Sequence, residues 1–358
     1  MRHGGSRGRL KGFLPALLML VCSPALRAQG TLQEPHAFLR KFARFTESDL
    51  AALERGDAVG RILDASASTE VPPIGAVLVR VRRDFFLEKY RDIESFKKSK
   101  EVQQTGKFHS PPRLEDLDAL TLDSGDIDSL RKCQIGDCGL KMSAGMIERF
   151  RKEVNWSAPD HAAQATALFR RVLFDYVKDY LAQGNPALVT YEDKKAPAPL
   201  RDQAGALLQA SPYLREYLPE LHRHLLDFPQ SPLRDAESFV YWSKEKFGYK
   251  PVVSMTHVTI HKPARAPATS VVIASKQIYA SHYFLGSLGL SACVEKEPSL
   301  QPTAVYLLYL NRSRVDLPQG FFSGVIRFFI RRRVRDGLET NLRLTKERLE
   351  AAYRAAAG

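Results

Sequence analysis

The sequence predicts an α+β fold: a curved antiparallel sheet around a long C-terminal helix, with a helical insertion. Three observations carry this. From Pro251 to Val315, four runs rich in β-branched and aromatic residues follow one another, parted by turn signals at Pro263, Gly286 and Pro298 to Pro302, which is the pattern of an antiparallel meander. After Asp316-Leu317-Pro318 the period changes to 3.6: Ile326, Ile330, Val334, Leu338, Leu342, Thr345 and Leu349 form one stripe flanked by Arg327, Arg331, Arg335 and Arg343. Upstream, Asp160 to Gln183 carries the clearest helical stripe in the chain and belongs to a stretch, roughly 143–249, with no strand period of comparable length.

Taken in order, the chain opens with Arg2, Arg7, Arg9 and Lys11 ahead of an apolar run from Phe13 to Cys22, closed by Ala25-Leu26-Arg27-Ala28. This reads as a secretory signal peptide over residues 1–28, since the run is about half of what crosses a bilayer. Val21 before Cys22 is too bulky for a lipoprotein signal, so the mature chain is expected to be exported, periplasmic or extracellular, and unanchored. Residues 29–56 form an N-terminal helical segment with Phe38, Leu39, Phe42, Phe45, Leu50 and Leu53 on its apolar side. The rest, 57–358, reads as one domain.

Gly60 to Ala67 and Ile74 to Arg82 are strands around Val71-Pro72-Pro73, the second alternating strictly. Asp84 to Phe96 recurs at helical spacing through Phe86, Tyr90, Ile93 and Phe96, and Val102 to Phe108 returns to strand before Ser110-Pro111-Pro112 stops it. Arg113 to Arg131 is acidic and leucine-spaced. Ser143 to Val154 and Asp160 to Gln183 are helices, the latter ended by Gly184-Asn185-Pro186. Ala187 to Tyr191 is a short strand, and short helices punctuated by Pro212, Pro219, Pro229 and Pro232 lead to Phe239-Val240-Tyr241-Trp242.

The net charge of +13 falls to +8 once residues 1–28 are removed. That basicity suits contact with an anionic membrane surface as well as it suits a solvated exterior, and Phe321-Phe322, Phe328-Phe329 and Arg331-Arg332-Arg333 at the start of the last helix carry the same two readings. No nucleic-acid partner is expected. Cys133 and Cys138 bracket a short turn containing Gly136, which in an oxidising compartment reads as a local disulfide. Cys293 lies among Leu290, Ala292 and Val294 and is expected to be a buried thiol.

Metal and cofactor motifs are missing: the histidines, including His257 and His261 on one strand face, do not fall at a metal-binding spacing, and no phosphate-binding glycine loop or Gly-x-Ser-x-Gly occurs. Lys276, Tyr279, His282 and Tyr283 cluster on and around one strand, and simple alternation places Tyr279 and Tyr283 on one face with Ser275, Gln277 and Ser281. Such a face, turned into an apolar cavity, would orient a lipid-like ligand. Turned to solvent, it would be ordinary polar surface.

The stretch Gly75 to Val81, the segment Phe86 to Phe96 and the passage from Asp316-Leu317-Pro318-Gln319-Gly320 into the helix to Leu349 together resemble the START-like (SRPBCC, helix-grip) superfamily, over about half the mature chain. The resemblance implies a sheet wrapped around the last helix over an apolar cavity, with the stretch 143–249 as an insertion. It implies binding of a hydrophobic small molecule or lipid by Tyr279, Tyr283, Gln277, His257, Ile326 and Ile330. The superfamily also holds enzymes, in which Tyr279, His282 or His257 would serve as acid or base, so fold alone does not choose. A third expectation is a module whose basic helix docks on a membrane or partner.

Overall fold

Five strands of this chain run for eleven or twelve residues, and two of them, Pro251–His261 and Ser270–Ala280, are buried along nearly their whole length. The computed structural model describes residues 35–246, 250–263, 270–296, 304–316 and 324–357, with side chains of the last helix described from 331 to 356. Residues 1–28, for which the sequence predicts a signal peptide, and the side chains of Ile326 and Ile330 lie outside the described residues.

The first helices are α1 (Pro35–Ala43) and α2 (Glu47–Arg55). Thr46 caps α2 in a capping box with Asp49, a start signal that lies two residues before Ser48. Strands β1 (Val59–Ile62) and β2 (Pro73–Val79) follow, then α3 (Arg83–Arg91), α4 (Ile93–Phe96) and β3 (Val102–Lys107). The helical stretch comprises α5 (Ser124–Lys132), α6 (Ala144–Glu153), α7 (His161–Gln183), a two-stranded ribbon of β4 (Thr190–Tyr191) and β5 (Ala198–Pro199), α8 (Leu200–Gln209), α9 (Pro212–Tyr217) and α10 (Pro219–Asp227). The meander is β6 (Ala236–Lys246), β7 (Pro251–His261), β8 (Ser270–Ala280), β9 (Phe284–Glu295) and β10 (Val305–Val315), and α11 (Gly324–Ala357) closes the chain. The stretch 143–249 therefore ends in a full strand, β6, which the sequence shows only as the fragment Phe239 to Trp242.

The large sheet has eight strands in the order β1-β2-β10-β9-β8-β7-β6-β3, all pairs antiparallel, and it does not close into a barrel. The meander forms its centre, and β2 and β3, joined through α3 and α4, flank it at opposite ends. Helices cover both faces. On one face Val77, Val79, Leu307, Cys293, Val271, Ile273, Val258 and Ile260 pack with Phe86 and Ile93 of α3 and α4 and with Leu338, Leu342 and Leu349 of α11. On the other, Val240, Trp242, Val253, Met255 and Ile278 pack under α5 to α7, while Ile74, Leu78, Val272, Leu290 and Leu308 pack under α1, α2 and α8 to α10.

The last helix is held over the β1–β2 edge by close backbone approach. A Cβ on Gly75 would meet Leu342 Cδ1 at 2.8 Å and Leu338 Cδ2 at 3.0 Å, so the absence of a side chain there lets the two leucines seat on β2. Glu339 accepts from Gly60 N at 2.9 Å, Lys346 donates to Gly56 O at 2.7 Å and Glu350 accepts from Arg80 N at 2.8 Å, so backbone groups along this edge are satisfied by helix side chains. Arg348 donates to Ser95 O and Lys98 O, tying the far half of α11 to α4.

Candidate functional site

The register of the sheet defines a polar basin on the face that carries α11. Across the strands run Val258–Ser275–Gly289–Asn311 and Ile273–Ser291–Tyr309–Gly75, each residue opposite the next. Gln277, opposite Thr256, lies one pleat further along β8, as Ser287 and Ser313 do on their strands. Ser275, Gln277, Ser287, Ser291, Tyr309, Asn311 and Ser313 are all half-buried, whereas Lys276, Leu288, Leu290, Leu310 and Arg312 between them are buried on the opposite face. The apolar half of this face is filled by α3 and α11; the polar half lies between the helix seated on Gly75 and the α3–α4 pair at the other edge.

The polar side chains bind one another. Ser313 Oγ donates to Asn311 Oδ1 at 2.5 Å and lies 2.7 Å from Ser287 Oγ, and Asn311 Nδ2 donates to Ser287 Oγ at 3.1 Å. Tyr90 from α3 reaches Ser275 Oγ at 3.3 Å. Gly289 forms the floor: a Cβ there would sit 3.5 Å from Ser275 Cβ and 3.6 Å from Asn311 Nδ2, an ordinary contact distance. Gln277 Oε1 is inaccessible and has no hydrogen-bond partner among the described residues.

At the β6 side stands one ion pair. Lys97 Nζ lies 2.7 Å from Glu245, with side-chain exposures of 24% and 11%. Burial works against the Lys97 charge, but Tyr241 and Glu245 outweigh it and hold the ammonium above its usual range. Burial raises the Tyr90 and Tyr309 phenols, which share the fields of Lys97 and Tyr241, so this corner is a cluster of neutral phenols around a compensated pair.

The sequence-predicted residues divide between the two faces. A β-bulge in β8 sets Met255 opposite Tyr279 and Thr256 opposite Gln277, so Ile278 is left unpaired and the alternation slips by one. Gln277 therefore faces the basin, whereas Tyr279 and His257 face α5 to α7. The single face expected for Tyr279 and Gln277 does not exist, because one extra residue in one strand reverses every side chain beyond it. Tyr279 is fully buried and donates to Lys141 O at 3.0 Å. Tyr283 lies in the β8–β9 turn at φ +58°, its hydroxyl accepting from Lys250 N at 3.0 Å. His282 Nε2 is 3.1 Å from Asp126 Oδ1, to which Lys250 also reaches at 3.3 Å. Burial favours protonation of Asp126, and these two partners reverse it, keeping the carboxyl below its usual range.

His257 keeps company with Lys276. Its Nδ1 lies 2.9 Å from the Tyr180 hydroxyl, and its Nε2 is buried with no partner. Lys276 Nζ donates to Asn185 Oδ1 at 2.6 Å and lies over the rings of Tyr180 and Phe228. Burial pushes the Lys276 amine down to about 7 and the His257 imidazole, beside it, to about 3. His257, Tyr279 and His282 thus each engage a different partner and do not meet at one point.

Cys133 and Cys138 form a disulfide, and Cys293 is a buried thiol whose pKa burial pushes up to about 12. Among the described residues no three His, Cys, Asp or Glu side chains are grouped to hold a metal ion, and no helix is long and apolar enough to cross a membrane. A pocket of about 40 Å³ lies on the opposite face of the sheet, lined by Phe38, Tyr213, Leu218, Val272 and Leu308 among others.

The basin residues Ser287, Ser291, Tyr309, Asn311 and Ser313 were legible as alternating small or polar positions in otherwise apolar strands, a pattern the cluster around Tyr279 overshadowed. Lys97 and Glu245 left no such trace, being paired only by the meeting of α4 with β6. No protein-family model matches the chain, and neither a curated protein nor a solved structure shows significant similarity to it.

Proposed function

We propose that the protein is an exported carrier that binds a hydrophobic or lipid-like small molecule in the basin between the sheet and α11, in the manner of a START-like helix-grip protein. The observation that carries this is the change of character on the α11 face. Its apolar half, from Val77 to Ile273, packs under α3 and α11 and borders a half-buried polar strip at Ser275, Gln277 and Asn311, so an amphipathic molecule that parted these helices from the sheet would meet an apolar wall and hydrogen-bonding groups at one place. The chain order of strand, two short helices, strand, meander and long helix supports the family reading. The disulfide between Cys133 and Cys138 supports export.

In this reading Gln277 lines the site. Tyr279, Tyr283 and His257 act from outside it, by fixing the strands and the helices behind them. The surplus of arginine at the start of α11 suits delivery at an anionic membrane surface.

The neutral fluorophore N-phenyl-1-naphthylamine tests this on the mature chain. Saturable binding at one site per chain is expected, weakened about tenfold or more by Gly289→Val, which fills the floor of the basin at a loss of about 1.4 kcal/mol. Absence of saturable binding, or binding indifferent to Gly289→Val in a folded variant, contradicts the proposal.

A further inference from the structure

The charges around the basin restrict what its ligand can be. A carboxylate or phosphate carried into a half-buried site needs a basic partner that is not already committed, because desolvating an ion without one costs several kcal/mol. Among the described residues, the cation that stands at the basin is Lys97, and Glu245 holds it at 2.7 Å. Arg91 is paired with Glu237 at the α3 edge, 2.6 Å away, and Lys107 donates to Arg91 O and lies over the Phe239 ring. At the apolar end Glu295 shares its surroundings with Arg83 and Asp84 around Cys293. Along α11, Glu339, Lys346 and Glu350 are turned to the backbone of the β1–β2 edge.

Among the described residues, what remains facing the basin is uncharged: the hydroxyls of Ser275, Ser287, Ser313 and Tyr309 and the carboxamides of Gln277 and Asn311. Ser287, Asn311 and Ser313 are hydrogen-bonded to one another. Gln277 Oε1, in contrast, is an inaccessible acceptor with no partner, and a buried carbonyl left so costs about 1–3 kcal/mol. An anion placed against that oxygen would be repelled. An O–H or N–H donor reaching it once the Gln277 carboxamide turns outward would complete it.

We infer that the ligand's polar end is neutral and donates a hydrogen bond, as in a long-chain alcohol or monoacylglycerol, and that Gln277 selects it over fatty acids and phospholipids. This rests on the carrier reading above and adds the charge class of the ligand to it.

The test displaces bound N-phenyl-1-naphthylamine from the mature chain at pH 8 with monolauroylglycerol and with laurate, which share one acyl length. The expected result is displacement by monolauroylglycerol at concentrations at least tenfold below those of laurate. In Gln277→Leu that preference should shrink several-fold while the fluorophore still binds. Asn311→Leu, which alters the neighbouring hydrogen-bonded group, should change it less. Equal potency, a preference for laurate, no displacement by either, or an unchanged preference in Gln277→Leu overturns the inference and leaves the carrier reading standing. Failure of the fluorophore to bind at all removes the carrier reading, and the inference with it.

Discussion

Lys276 is 3% exposed, makes one hydrogen bond to a side-chain amide and meets no carboxylate. The groups facing it are Tyr180 from α7, Asn185 after that helix, His224 from α10, Phe228 and His257 from β7, none of them acidic. Its folded-state pKa of about 7 lies well below its ordinary 10.5. Between these values the unfolded chain holds the extra proton, so this residue makes stability rise with pH across the window by up to about 1.4 kcal/mol per unit, and it contributes no slope below about 7, where both states are charged. Chemical denaturation at pH 7, 8 and 9 should therefore show a positive slope difference between the wild-type protein and Lys276→Met, with the variant more stable at pH 7. Parallel profiles would show that the amine is charged and compensated. The period-2 reading found Lys276 and His257 as residues of interest but set Tyr279 on the face of Gln277, because the bulge at Ile278 is set by how β7 and β8 meet and leaves no mark of its own in the local sequence.

At the scale of elements, α7 ends at Gly184, whose φ is +73°, and a Cβ there would stand 1.9 Å from Phe228 O. Glycine is required twice, for the backbone angle and for the approach of the Phe228–Pro229 segment that closes over Lys276 and His257. Gly184→Ala is expected to cost about 3 kcal/mol or more, read as a lowered denaturant midpoint with unchanged m-value. A neutral substitution would mean that this packing is loose. Helix α7 was legible almost to the residue, from Asp160 to Gln183, because an apolar stripe and a glycine stop agree. The long C-terminal helix was legible from its apolar stripe alone. Strand β6 was not, since its exposed start, Ala236 to Ser238, and its buried polar end at Ser243, Lys244 and Glu245 hide the alternation. Those polar residues are tolerable only because partners from elsewhere reach them: Lys97 for Glu245, and Asp123 for Lys244 at 2.5 Å.

For the whole molecule, the antiparallel class and the terminal helix followed from periodicity, whereas the covering of both sheet faces did not. A meander with one solvent face should alternate cleanly, and β7, buried along nearly its whole length, does not. The helices from α5 to α10 occupy the face opposite α11, so the molecule has two helical layers on one open sheet. Among the described residues, that arrangement puts the basin on the α11 face and the small pocket lined by Phe38, Tyr213 and Leu218 on the other. Sequence spacing could not separate them, because residues for both alternate along the same strands.

The decisive measurement is peptide mapping after photolabelling the mature chain with a diazirine-bearing monoacylglycerol. Saturable labelling is expected at Tyr90, Gln277 and Asn311, competed by unlabelled monoacylglycerol and lost in Gly289→Val. Labelling at Phe38, Tyr213 and Leu218 instead, or labelling that never saturates, would contradict this expectation.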